Sequence, residues 1–244
     1  MKINKSLKIF LKDKFPYIVY PAISFMKKSN SASKHKIELL KRYNVKVLLD
    51  VGGNIGNYAH AVRSLGYSET IYSFEPLKEP FQELQKWSAK DKKWIAYNYA
   101  LGNFDGESEI NVANDSACSS ILDKTEVFDN ILPDKEYTGK QRIKVYKLDT
   151  INNNIIANRT TFLKIDAQGY EKNILEGAKN SFNNIVGMQI ELSLKQFYEN
   201  SILYDEMIIY LKSLGYHLKL IEEGWYSNNE LTEFDGIFFK DIHK

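Results

Sequence analysis

Three acidic side chains and one glycine-rich turn carry the chemistry legible in this chain. The turn is Asp50-Val51-Gly52-Gly53-Asn54-Ile55-Gly56, and the acids are Glu75, Asp166 and Glu191. Residues 45–49, before the turn, are apolar apart from Lys46, and residues 57–65, after it, have helical spacing. Glycines let the chain bend sharply and let backbone approach a ligand. The start of the next helix points unpaired N–H groups at any carboxylate or phosphate placed there. Strand, turn and helix together therefore make a site for a nucleotide-sized cofactor. Spacing narrows the choice. A dinucleotide fingerprint needs Gly-x-Gly-x-x-Gly. With Gly53 and Gly56 as its last two glycines, its first would stand at position 51, which is Val51. The pattern Asp-x-Gly-x-x-x-Gly points instead to S-adenosylmethionine (SAM) and methyl transfer. The expected cofactor contacts here are Asp50, Gly52, Gly53, Asn54, Gly56 and Asn57.

Glu75 ends the next apolar run, about 20 residues after the turn, where an acid reaches the ribose hydroxyls of a nucleoside. A carboxylate accepts two hydrogen bonds from a diol, and charged acceptors make the stronger bonds. Pro76 follows it, and the backbone around Ala100 and Leu101, at the end of the third run, is placed to meet the adenine.

Asp166 ends one buried strand and Glu191 lies near the end of the next. In neighbouring strands their backbones stand about 4.8 Å apart, so both acids can converge on a methyl group. An aliphatic hydroxyl holds its proton far above neutral pH, so a general base or a metal ion must make its oxygen nucleophilic. Asp166 is the expected base or metal ligand, with Glu191 assisting. Lys164 shares a strand face with Asp166. A lysine in an apolar strand is costly unless paired, so it either joins the catalytic set or forms a supporting ion pair. Asp166 and Glu191 supply only two of the several oxygens a hard divalent cation wants, so a metal is not demanded. Ser119 and Ser120, in a stretch of small polar residues, are candidate acceptor contacts, and Tyr198 and Trp225 are candidates to stack on a sugar. Asp149 is read as a helix N-cap, Glu171 as an acid suited to a helix's first turn, and His60 as structural.

These groups need a scaffold of alternating strands and helices. Residues 35–43 read as a helix, 45–51 as strand one, 70–74 as strand two, 77–88 as a helix and 94–101 as strand three. A turn at 103–106 precedes a returning strand at 107–113, and 123–141 reads as a variable loop. Strands follow at 142–148, 160–165 and 186–192, helices at 171–178 and 204–214, and a closing pair of strands at 217–221 and 237–239. Such alternation implies a parallel sheet with crossover helices.

The 244 residues suit one α/β domain, taken as 35–244, with residues 1–34 as an N-terminal appendage and linker. A net charge of +2 argues against a dedicated nucleic-acid binder. The single cysteine, Cys118, leaves no intramolecular disulfide and no cysteine-based zinc site. That is compatible with a cytoplasmic location. No run of eighteen apolar residues predicts a membrane span. Residues 15–26 are mostly apolar between lysines, but Pro16 and Pro21 interrupt them. They read either as docked on the domain or a partner, or as a peripheral membrane contact.

Several motifs in one order carry a family resemblance. They are Asp50 to Gly56, Phe74-Glu75-Pro76, Asn98-Tyr99-Ala100-Leu101-Gly102, Phe162 to Glu171, Gln189-Ile190-Glu191-Leu192 and Asp235-Gly236-Ile237-Phe238-Phe239. The chain resembles an FkbM-type SAM-dependent methyltransferase over roughly residues 35 to 240. The resemblance implies a class I methyltransferase fold: a Rossmann-like, doubly wound sheet of seven strands, mostly parallel, with an antiparallel last strand. It also implies O-methylation, often of sugars, glycans or natural-product scaffolds. Many relatives carry Glu where this chain has Gln168, so a role for that carboxylate does not transfer. The expected partner is a small-molecule or glycan acceptor. The alternatives are a nicotinamide-dependent oxidoreductase, which lacks a Tyr-x-x-x-Lys pair here, and a non-catalytic SAM-binding module.

Overall fold

The computed structural model describes residues 31–222 and 224–241. In chain order its elements begin with α1 (Ser31–Arg42), β1 (Val47–Val51), α2 (Asn57–Ser64), β2 (Thr70–Phe74), α3 (Lys78–Ser88) and β3 (Trp94–Tyr97). Next come β4 (Ala100–Leu101), β5 (Gly106–Ala113), α4 (Glu126–Ile131), β6 (Tyr137–Tyr146) and α5 (Leu148–Ile155). The chain continues through β7 (Thr161–Ile165), α6 (Glu171–Glu176), β8 (Ile185–Ser193), α7 (Tyr204–Ser213), β9 (Tyr216–Ile221), β10 (Trp225–Ser227) and β11 (Glu230–Lys240). Every residue of β1 and β7 is buried. That is the state of central strands in a parallel sheet covered on both faces.

The main sheet runs β3-β2-β1-β7-β8-β11. Its first five strands are mutually parallel, and β11 is antiparallel to β8. The outer edge of β11 is shared end to end: β9 pairs with residues 236–240 and β10 with residues 230–233. The expected doubly wound sheet with an antiparallel last strand is therefore present, seven positions wide, with the seventh split between two strands. On one face Val62 of α2, Leu84 of α3 and Ile37 and Leu40 of α1 pack on Leu48, Ile71, Phe162 and Phe239. On the other, Leu148 of α5, Ile174 of α6 and Leu211 of α7 pack on Leu49, Phe74, Leu163 and Ile190.

Three expectations need correction. Residues 94–101 are not one strand: β3 stays in the main sheet, while β4 leaves it to pair with β6. The break follows Asn98, whose side-chain amide donates to the carbonyls of Glu75 and Pro76 and turns the chain. Residues 123–141 are not a loop. They hold α4, whose Thr125 side chain accepts from the Phe128 N–H, and the first half of β6, which pairs with β5. The strand expected at 142–148 ends at Tyr146, and Leu148 opens α5 instead. α1 begins at Ser31, four residues before the helix expected at 35–43. Of the expected N-terminal appendage and linker at 1–34, residues 1–30, which include the apolar segment 15–26, lie outside the described residues.

A polar row crosses the α1–α2–α3 face of this sheet. The Trp94 indole N–H donates to Ser73 Oγ at 2.9 Å, and Ser73 Oγ donates to Asp50 Oδ2 at 2.8 Å. Asp50 pairs in register with Ser73 on one side and Lys164 on the other. The Lys164 ammonium lies 3.5 Å from Asp50 Oδ1 and 3.4 Å from Asp166 Oδ2, and donates to the Gly52 carbonyl at 3.3 Å. Asp50 is 0% exposed, and its Oδ1 has no hydrogen-bond partner of good geometry. Only the lysine's charge compensates it. Removing one partner of a buried ion pair leaves an uncompensated charge and costs about 3–5 kcal/mol. Lys164→Met is expected to lose stability of that order in urea denaturation. A loss near zero would show that Asp50 does not depend on the lysine.

Candidate functional site

The cleft opens at the carboxyl ends of β1, β2 and β7, where ligands bind in open α/β sheets. It encloses about 670 Å³, part of it open to solvent. Its floor comes from Val51, Gly52, Asn54, Glu75 and Asp166, and its far wall from Ala100, Leu101 and the segment 116–121. Gly52 makes the floor thin. Its φ is +74°, and a Cβ there would stand 1.8 Å from the Asp166 carbonyl oxygen. No other residue lets the turn lie against the end of β7.

Glu75 is buried and faces the cleft. Its Oε2 accepts from the Asn54 N–H and its Oε1 from the Leu77 N–H, both at 2.8 Å. The same carboxylate thus ties the glycine turn to the start of α3. Burial pushes its pKa up to about 7, against the pull of those two N–H donors. Asn54 sits at φ +44°, and its side chain donates to Ser116 Oγ at 3.1 Å, which joins the turn to the far wall.

The expected cofactor residues divide into two groups. Gly52, Asn54, Glu75, Pro76, Ala100 and Leu101 line the cleft. Asp50, Gly53, Gly56 and Asn57 do not. Asp50 is sealed behind the turn on Ser73 and Lys164. Gly53 and Gly56 are buried against Leu84, Ser73 and Trp94, where a Cβ would crowd side chains. Asn57 is exposed at the head of α2. Asp50, Gly53 and Gly56 shape the turn from behind.

The acids meet beyond Gly52. Asp166, 39% exposed at its side chain, lines the cleft. Gln168 Nε2 donates at 3.1 Å to Asp166 Oδ1 and at 3.1 Å to Glu191 Oε2. Asp235 lies directly opposite Glu191, and Glu233 opposite Ser193, so β11 adds two acids to the same face. Burial, then the charges of Asp166, Glu233, Glu171 and Asp235, hold the Glu191 carboxyl well above its ordinary range. Burial raises Glu233 to about 7 and Asp235 to about 6. Among the described residues no group of three or more His, Cys, Asp or Glu is arranged to hold a metal ion.

Several expectations change here. Lys164, expected either in the catalytic set or in a supporting ion pair, is paired with Asp50 and Asp166. Burial pulls its pKa down, but Asp166 and Asp50 outweigh that and hold the ammonium protonated. Tyr198 does not stack on an acceptor: it is 2% exposed, packs on Phe128, and donates its hydroxyl to Gln168 Oε1 at 2.7 Å. Ser119 and Ser120 line the cleft, yet their hydroxyls are engaged. Ser119 Oγ accepts from Ala113 N–H, and Ser120 Oγ donates to the Gln168 carbonyl. Trp225 stays 39% exposed beside Phe197. Asp149 caps no helix of its own; it accepts from the N–H groups of Asn180 and Ser181. Glu171 is buried in the first turn of α6 and accepts from Ala167 and Gly169 N–H, closing the turn after Asp166. His60, on α2, is exposed and packs edge-on to Trp87.

Sequence reasoning missed Ser116, the cleft-lining Ile110 and Ile121, and Glu233, and gave Asp235 of β11 no place at the site. Ser116 and Ile121 flank the two serines that were named. Ile110 belongs to a second sheet whose position no motif announces.

Strand order, switch point and cleft define a class I methyltransferase fold of the SAM-dependent kind. The model of the methyltransferase FkbM domain matches residues 50–218, and the chain belongs to that family. The family is one of methyltransferases, so the nicotinamide alternative falls away. No curated protein sequence matches the chain. Among solved structures, magnesium protoporphyrin IX methyltransferase from Synechocystis with bound SAM is 8% identical, covering 99% of this chain and 100% of that one, TM-score 0.44. Burkholderia thailandensis 1,6-didemethyltoxoflavin-N1-methyltransferase is 8% identical over 99% and 92%, TM-score 0.46. Methanococcus jannaschii fibrillarin, a pre-rRNA processing protein, is 12% identical over 80% and 66%, TM-score 0.48. Likenesses this distant carry no argument about the acceptor of this chain.

Gly52→Ala is expected to destabilise the protein by about 1–3 kcal/mol, the cost of forcing an atom into a packed contact. Urea denaturation measures it. Wild-type stability would mean that the turn and the end of β7 separate freely.

Proposed function

We propose that this protein transfers a methyl group from SAM to a hydroxyl of a sugar, glycan or related small molecule. The observation that carries this reading is the Asp166–Glu191 pair beside the cleft. A hydroxyl acceptor needs its proton removed, whereas an amine or ring nitrogen with a free lone pair does not. The residues present fit SAM. Gly52 and Asn54 offer backbone without crowding it, Glu75 presents a carboxylate, and Ala100 and Leu101 give an apolar wall. When bound, SAM supplies an activated methyl group on a positively charged sulfur.

The protein's own part is alignment and proton removal. Asp166 faces the cleft and takes the acceptor's proton at a carboxylate oxygen. Glu191, held above the ordinary carboxyl range, is a stronger base than a solvated glutamate and shares that proton. Lys164 keeps its charge and holds the Asp166 side chain against the Gly52 turn. Glu75 receives the ribose hydroxyls of the cofactor. The cytosol, where SAM is made, is the compartment this implies. A non-catalytic SAM-binding module would bind SAM and methylate nothing.

Transfer of labelled methyl from SAM to a panel of nucleotide sugars and glycans tests the reading. With an acceptor in hand, Asp166→Asn is expected to lower kcat by about 10²–10⁴-fold, the worth of a general base, with SAM affinity unchanged. Near-normal turnover would overturn the assignment. Glu75 gives a second test. Its ionised form binds hydroxyls and a cationic ligand better, and its pKa is raised to about 7. SAM affinity by calorimetry is therefore expected to climb with pH up to about 7 and level off above it. Glu75→Gln should bind more weakly above that point and lose the climb. A variant that keeps the climb would assign it to another group.

A further inference from the structure

We propose that Gln168 is the positioning residue of this site: its side-chain amide clamps Asp166 and Glu191 into one acceptor-facing pair without adding charge. The inference rests on the reading of that pair as catalytic and names what holds it.

A primary amide carries two N–H donors and one carbonyl acceptor. Here all three sides are used. Both donors go to carboxylates, Asp166 Oδ1 and Glu191 Oε2, each at 3.1 Å. The carbonyl oxygen accepts from the Tyr198 hydroxyl at 2.7 Å. That pattern also sets which amide atom is which. A flipped amide would aim its oxygen at two carboxylates, a repulsion with no donor between them.

The clamp is itself held. Gln168 stands at φ +53° and Gly169 at φ +92°, so the chain reverses sharply just after Asp166. Ser120 Oγ donates to the Gln168 carbonyl at 2.7 Å and accepts from the Leu122 N–H, bracing that turn from the far wall. Tyr198 is wedged on Phe128, and a Cβ on Gly169 would lie 2.9 Å from the Tyr198 side chain. The amide oxygen and the turn that carries it thus rest on the buried side chains of Tyr198 and Ser120.

A glutamate at this position would place a third carboxylate oxygen about 3 Å from the other two, and like charges that close do not all stay ionised. Such a trio needs a proton or a cation between its members. The amide meets the same two oxygens with neutral donors. In this chain, then, the spacing of Asp166 and Glu191 is set by a side chain rather than by a metal ion. The charged groups facing the pair are Lys164 from β7, Glu171 from α6, and Glu233 and Asp235 from β11. Lys164 touches only Asp166 among the pair, so the amide is the link that reaches both.

Three variants test this: Gln168→Leu, Gln168→Glu and Tyr198→Phe, each checked for folding by thermal melting. With the acceptor found above, Gln168→Leu should lower kcat roughly 100-fold, the scale of a misplaced catalytic group, while acceptor KM and SAM affinity stay at wild-type values. Tyr198→Phe should lower kcat less, in the same direction. Gln168→Glu should lose activity in chelator, bind Mn²⁺ as read by electron paramagnetic resonance, and recover part of its kcat as Mn²⁺ is added. Wild type should keep its kcat in chelator and show no Mn²⁺ signal from this site. Wild-type kcat in Gln168→Leu overturns the proposal, and so does full activity of Gln168→Glu in chelator, or no response of that variant to Mn²⁺. If Gln168→Leu does not fold, the near-isosteric Gln168→Glu decides. Loss in Asp166→Asn with none in Gln168→Leu would remove the clamp and keep the base. No loss in either would remove the pair itself.

Discussion

One buried ammonium organises this protein. Lys164 stands in a strand with both faces covered, yet reaches the Asp50 and Asp166 carboxylates and the Gly52 carbonyl at once. A charge there is tolerable only because it is paired. The pairing ties three things that must agree: the head of the glycine turn, the backbone inside the turn, and the acid beside the cleft. Ser73 and Trp94 extend the row to the sheet edge, so the register of β3, β2, β1 and β7 and the shape of the turn are set by one set of contacts. The cost of burying polar groups becomes precision at the site.

The acids around this row are arranged by a different balance. Glu75, Glu191, Glu233 and Asp235 all sit where burial disfavours their charge. Two kinds of neutral donor keep Glu75 and Glu191 in place. Backbone N–H groups of Asn54 and Leu77 hold Glu75, and the Gln168 amide holds Glu191 with Asp166. The second sheet closes the arrangement. By sending β4 out of the main sheet, the chain brings residues 116–121 across the cleft, where Ser116 meets Asn54 and Ser120 meets Gln168.

Much of this was legible because some interactions are local in sequence. The glycine turn, Glu75 at the end of β2 and Asp166 at the end of β7 could be placed from apolar runs and spacing alone. Asp50 was placed correctly in the chain and wrongly in space. Its type suits a cofactor contact, but its Oδ atoms point behind the turn to Ser73 and Lys164. Tyr198 failed for a similar reason. An aromatic near a cleft can face the ligand or the core, and Phe128, seventy residues earlier, decides which. Glu233 went unseen, and Asp235 was noted only within a motif, because their nearness to Glu191 depends on antiparallel pairing between distant strands.

By itself the sequence determined the class of fold, the strand–turn–helix unit at the cleft, and the strand-end positions of Asp166 and Glu191, since periodicity and glycine spacing are properties of neighbouring residues. Tertiary structure decided which glycines touch the cleft, that Lys164 stays charged between Asp50 and Asp166, and that Gln168 joins Asp166 to Glu191. Those outcomes depend on burial and on hydrogen-bond partners brought together by sheet register. A linear chain states neither, because both arise only when distant segments exclude water from the same space.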